Sequence, residues 1–157
     1  MALNDELKLT RPIESAAHEA LLNIYFTAAC LKKRADEFFR PYGLTDVQFN
    51  ALMLLKHQGS DEGGLNQVQL GEMMLVNRAN ITSLIDRMER AGMVERAPDK
   101  SDRRYNVIRL TGRGRKVLAR VEPLYMEQVK KVMAVCRQSE QKALVSMLER
   151  IRNGIDA

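Results

Sequence analysis

The stretch NQVQLGEMMLVNRANITSLIDRMERAGMVERAPDKSDRRYNVIRLT, Asn66–Thr111, decides the fold. Asn66 can cap a short helical pattern, Gln69 completes a capping box, and Leu65 and Leu70 hold the flanking staple positions. That pattern ends near Met73 or Met74. Asn77 can cap a second helix, with Val76 and Ile81 as its staple pair. About three residues separate the two helices, and so short a connection forces a sharp angle between them. In the second helix Ile81, Leu84, Ile85 and Met88 recur at i, i+3, i+4 and i+7, which makes one narrow apolar face. Ala79, Asn80, Thr82, Ser83, Asp86, Arg87 and Arg90 lie on the other side and its flanks. Gly92 ends the helix.

Two strand-like runs follow, Met93 to Ala97 and Tyr105 to Leu110, joined by Pro98-Asp99-Lys100-Ser101-Asp102-Arg103-Arg104. Helix, turn, helix and charged ribbon make the layout of a winged helix-turn-helix. The fold class expected is mainly α with a small antiparallel β-ribbon. The polar face of the second helix has the right chemistry for a duplex groove. Asn and Arg can read adenine and guanine edges bidentately, Ser and Thr can meet bases or phosphates, and Ala79 can touch a thymine methyl. An Arg-rich ribbon tip suits a narrow minor groove, where the negative potential is greatest. Each feature alone also fits a solvated amphipathic helix or an untargeted charged hairpin.

The flanks read as helices. Residues 1–12 have no clear period and are expected to form a loose leading arm. From Ile13 to about Arg40 the positions Ala17, Leu21, Ile24, Ala28, Leu31, Ala35 and Phe38 make a continuous apolar stripe, which Pro41 and Gly43 stop. Thr45 and Gln48 match a second capping box, with Leu44 and Phe49 as staple, and that helix runs to about His57 before a loop through Gly64. Thr111 can cap a long helix extending to Cys136, in which Pro123 predicts a kink or a restart. Ser139 is read as the cap of a last helix bearing Leu144, Met147, Leu148, Ile151 and Ile155.

The 157 residues fit one chain with a real core: 45% are hydrophobic and 29% charged. Nine methionines are many for this length, and adaptable core packing accounts for them. The net charge of +5 is unevenly spread: Arg78 to Arg120 holds twelve Lys/Arg and five Asp/Glu, a local +7, and the remainder is net −2. A local excess of this kind is what phosphate neutralisation requires, although a solvated basic surface would look the same. With only Cys30, Cys136, His18 and His57 available, a structural zinc site is not expected, and no other cofactor is. The N-terminus lacks the apolar core of a secretory signal, and no run approaches the ~18 residues of a membrane span, so a cytoplasmic location is expected. No nucleophile–base pair, phosphate loop or metal cluster supports an enzyme.

The run LGEMMLVNRANITSLIDRMERAGMVERAPDKSDRRYNVIRLTGRGRKVL resembles the DNA-binding core of MarR-type winged-helix regulators. The resemblance rests on NRANIT, LIDRMERAGMVER, the DxxDRR ribbon tip and LTGRG. It is strongest over about residues 65–118, and PYGLTDVQFNALMLL agrees with an earlier helix of the family. It implies one MarR-like chain over 1–157, with a DNA-binding region at 44–111 and dimerisation helices at 13–40 and 112–155. It also implies a homodimer that places the second helix in the major groove and the wing tip in the adjacent minor groove of double-stranded DNA. The implied contacts are Asn77, Arg78, Ala79, Asn80, Thr82, Ser83 and Arg87 in the recognition segment, and Lys100, Asp102, Arg103 and Arg104 in the wing, with Asp102 bracing Arg104. Gln67 and Gln69 are expected near the DNA backbone.

The expected function is a sequence-specific transcriptional regulator, a repressor on a pseudo-palindromic operator. Some members of the family sense phenolic compounds, and His18, Tyr25, Phe26, Phe49 and Met53 are the candidates for such an effector pocket. The same residues also suit dimer or domain core. A redox branch carries a reactive cysteine near the start of the first helix. Cys30 lies several residues further along and reads as structural, with Lys32, Lys33 and Arg34 keeping the other reading open. The competing class is a winged-helix protein-interaction module that does not bind DNA. The polar helix face, lacking large apolar anchors, speaks against it.

Overall fold

A computed structural model describes residues 3–59, 64–74, 78–98 and 106–155, apart from the side chain of Arg78. The chain divides into two compact units, residues 1–114 and 115–157. The first contains helices α1 (Leu3–Glu6), α2 (Ala16–Phe39), α3 (Asp46–His57), α4 (Gln67–Met73) and α5 (Arg78–Arg90) and strands β1 (Leu65–Asn66), β2 (Val94–Pro98) and β3 (Asn106–Leu110). A 3₁₀ turn, Arg40–Tyr42, follows α2. Helix α6 (Gly112–Met133) begins in the first unit, and α7 (Gln138–Ile155) lies wholly in the second. The architecture is mostly helical with one small antiparallel sheet, the winged-helix arrangement.

Both predicted capping boxes form, at Thr45 and at Asn66. Thr45 accepts the Gln48 N–H at 3.2 Å and Gln48 accepts the Thr45 N–H at 2.9 Å. Asn66 and Gln69 repeat the exchange at 2.9 and 3.0 Å. Each box satisfies two amides that a helix start would otherwise leave to solvent. At the other end of α5, Gly92 adopts φ +67° and the Met93 N–H reaches the Met88 carbonyl at 2.9 Å. Only glycine takes that left-handed turn without a Cβ penalty, so the chain can leave the helix directly into β2.

The core of the first unit joins α3 and α5 to the sheet. Leu52, Leu70, Ile81, Ile85, Met88, Val94 and Ile108 are almost wholly buried. All four residues of the α5 apolar face are inside, each contributing about 2 kcal/mol of burial. Phe39 and Phe49 stack at 4.4 Å between ring centroids, with Phe38 edge-on to Phe39 at 5.0 Å. This cluster fixes the end of α2 against the start of α3.

Several expectations shift. The sheet has three strands in the order β1-β3-β2, because Leu65 and Asn66 pair with Ile108 and Val107. Two residues are too few to show an alternating pattern, so β1 is not visible in the sequence. β2 pairs Val94 with Leu110 through Pro98 with Asn106. The first long helix starts at Ala16 rather than near Ile13, because the Ser15 hydroxyl accepts the His18 N–H at 3.4 Å and sets the start. The leading arm contains one helical turn, α1, with Leu3 buried.

Helix α6 continues through Pro123 without a restart. One missing donor removes one bond from a helix that has many others. Helix α7 begins at Gln138, so Ser139 lies inside it. Its first turn is closed by Glu140, which accepts the Arg137 N–H at 2.7 Å. Gln141 then donates to the carbonyls of Met133 and Cys136 at 3.1 and 2.9 Å, finishing the end of α6. The α2 stripe is the largest surprise of burial: Leu21 and Leu31 are 45% and 47% exposed in the single chain.

Candidate nucleic-acid interface

Helix α5 presents two unlike faces. Its apolar side is fully buried, which fixes its rotation about its own axis. Ala79, Asn80, Ser83 and Arg87 are consequently exposed, and Thr82 is half-buried. Ala79, Thr82, Ser83, Asp86 and Arg90 line an open depression along this side. Small side chains at the N-terminal half keep the surface low, which lets a helix enter a groove closely. Arg87 and Arg90 each donate their Nε to a carbonyl one turn back, Ser83 and Asp86 respectively, at 3.2 Å.

Helix α4 holds α5 from behind. The Gln67 amide donates to the Thr82 hydroxyl at 2.5 Å, a direct tie between the two helices of the motif. Gln67 is thus engaged within the protein, and the carboxamide oxygen of Gln69 is taken by its capping box. Asn77, Lys100, Asp102, Arg103, Arg104 and the side chain of Arg78 lie outside the described residues.

Sequence reasoning missed Arg96. This β2 residue pairs with Asp86 and with Glu89, both on α5. Burial alone would favour the neutral guanidine, but the hydrogen bonds and charges of Asp86 and Glu89 outweigh it and hold the Arg96 pKa above the ordinary arginine value. The pattern Asp-x-x-Glu followed by Arg was present in the sequence. Only the turn at Gly92 tells that the strand folds back along the same side of the helix.

The proposed effector residues are placed differently from one another. His18 and Tyr25 are exposed on α2, with Tyr25 at 65%. Phe26 and Met53 are half-buried. Phe49 is buried at 3% exposure, stacked on Phe39 in the core. Cys30 is exposed and Cys136 half-buried, and both are free thiols. Among the described residues no group of His, Cys, Asp or Glu is arranged to hold a metal ion, and no helix is long and apolar enough to cross a membrane.

Comparison with known proteins agrees with this geometry. The MarR family profile matches residues 44–105. The transcriptional regulator PecS of Dickeya dadantii is 27% identical over 121 residues, covering 77% of this chain and 72% of PecS. The crystal structure of AbsC, a MarR family regulator from Streptomyces coelicolor, superposes with a TM-score of 0.83 at 22% identity, over 94% of this chain and 99% of AbsC. The S. aureus MepR–DNA complex gives a TM-score of 0.75 at 20% identity, over 84% and 93% of the two chains. With the capped α4, the exposed polar face of α5 and the β2–β3 strand pair in place, residues 44–105 carry a MarR family domain, and the chain is similar to winged helix-turn-helix transcriptional regulators.

Proposed function

We propose that the protein acts as a homodimer on a pseudo-palindromic operator, with α5 in the major groove and the wing in the flanking minor groove. The observation that carries this reading is the rotation of α5, whose buried apolar face leaves Ala79, Asn80, Ser83 and Arg87 outward within the basic stretch Arg78–Arg120. The MepR–DNA complex, a structure of similar fold, is the counterpart for docking. In this reading Asn77, Arg78, Ala79, Asn80, Thr82, Ser83 and Arg87 contact bases and phosphates, and Arg104, braced by Asp102, enters the minor groove.

Dimer formation is supported by apolar side chains left exposed in the single chain. In α2 these include Leu21, Tyr25 and Leu31, and in α7 Leu144, Val145, Met147, Ile151 and Ile155. Water contact at so many apolar groups along helices favours association with a second copy. Two-fold symmetry then sets half-sites about one helical turn apart. Repression, relieved by a small phenolic effector held among His18, Tyr25, Phe26 and Met53, is the regulatory mode proposed.

Selection of genomic fragments by the purified chain tests the reading. The expected outcome is a two-fold-related site whose affinity falls steeply with salt as counterions are released. Failure to enrich any fragment at low salt, with a flat salt response, overturns it in favour of a protein-docking role. A promoter–reporter pair carrying the selected site, with and without the regulator, then gives the sign of regulation.

A further inference from the structure

Arg96 is the point at which the ribbon and the recognition helix meet. One guanidinium nitrogen pairs with Asp86 and the other with Glu89. These carboxylates stand three residues apart, on the same side of α5. Glu89 also accepts the Arg96 backbone N–H at 3.1 Å, so one carboxylate holds both the main chain and the side chain of the strand. The Arg96 side chain is only 26% exposed. A planar guanidinium forked between two carboxylates resists rotation in a way that a single surface ion pair does not.

We propose that Arg96 is a positioning residue that locks β2, and with it the wing, onto the recognition helix. The inference rests on the DNA-binding reading above. A wing joined to α5 only by the turn at Gly92 and by sheet packing would have to be ordered at the moment of binding. The clamp sets that order in advance, and the gain appears as affinity. It also gives Asp86 and Glu89 an internal counter-charge, so two carboxylates can sit on the helix that approaches phosphate.

The test uses the full-length chain and its selected operator, with methylation protection of guanine N7 in the major groove and adenine N3 in the minor groove. Measured at matched occupancy, Arg96→Gln is expected to lose minor-groove protection while keeping major-groove protection, with affinity about tenfold weaker. Protection retained in wild-type proportion, or lost equally in both grooves, overturns the proposal. Asp86→Asn removes one arm of the clamp with little change of shape and decides the matter if Arg96→Gln melts early. It should redistribute protection in the same direction to a smaller degree, and unchanged proportions overturn the proposal. If the wild-type chain protects neither groove of any fragment, the DNA-binding reading itself fails, which is a distinct result.

Discussion

Gly114 lies so close to Met93 that a Cβ on it would stand 2.0 Å from the Met93 carbonyl oxygen. Thr111 closes the same junction. Its N–H reaches the Met93 carbonyl at 3.1 Å, its hydroxyl donates to the Gly92 carbonyl at 2.6 Å, and it accepts the Gly114 N–H at 3.0 Å. The end of the ribbon, the start of α6 and the exit of α5 are therefore fixed at one point. Gly114→Ala must push backbone against backbone, and is expected to destabilise the chain by about 2 kcal/mol. Gly112→Ala, where nothing lies within 4 Å, is expected to be neutral or slightly stabilising. Thermal melting of the two variants side by side checks the contrast, and equal melting temperatures would show that the junction yields.

The tie between Gln67 and Thr82 links the supporting helix to the reading helix. Thr82→Val keeps the shape and removes the acceptor, leaving the Gln67 amide without it. A stability loss of about 1 kcal/mol is expected. Loss of operator affinity should exceed the loss of non-specific DNA affinity, because the fold survives while α5 gains freedom. Titration of both duplexes at one salt concentration measures this, and a parallel drop in the two would assign the bond to stability alone.

The two capping boxes should each show in stability. Thr45→Ala and Asn66→Ala are expected to cost about 1 kcal/mol apiece, and together about the sum, since they cap different helices. Denaturant unfolding of the single and double variants reads the values. Asn66→Ala carries a second expectation, weaker DNA binding, because α4 carries the Gln67 tie.

Asp46 supplies a pH signature. Burial, followed by the nearby Asp36 carboxylate, raises its pKa from the ordinary 3.8, with Lys32 partly opposing. The folded protein therefore holds this proton at higher pH than the unfolded chain does. Stability contributed by the protonated form is lost as pH rises from the unfolded to the folded value, and the penalty is complete above it. Relative to Asp46→Asn, the wild type should lose stability as pH climbs through that acid window and show a constant difference at neutral pH. Denaturant midpoints taken across the range follow this, and a pH-independent difference would exclude the linkage.

The sequence by itself determined the capping boxes at Thr45 and Asn66, the apolar face of α5, the helix order and the two strands of the ribbon. Each of these is a local pattern: a side chain reaching its own helix start, or a period of 3.6 or 2. Asn66, Gln69, Ile81 and Met88 announce their structural roles within a few neighbours. Tertiary structure alone decided the rest. β1 is two residues long and exists only because β3 offers it a partner. Gln67 found Thr82 rather than solvent because α4 crosses behind α5. Arg96 reached Asp86 and Glu89 because the left-handed turn at Gly92 returns the strand along the helix. Phe49 fell to the core because Phe39 arrives from a different helix. These are meetings of side chains from separate elements, and no local period along the chain encodes which of them will touch.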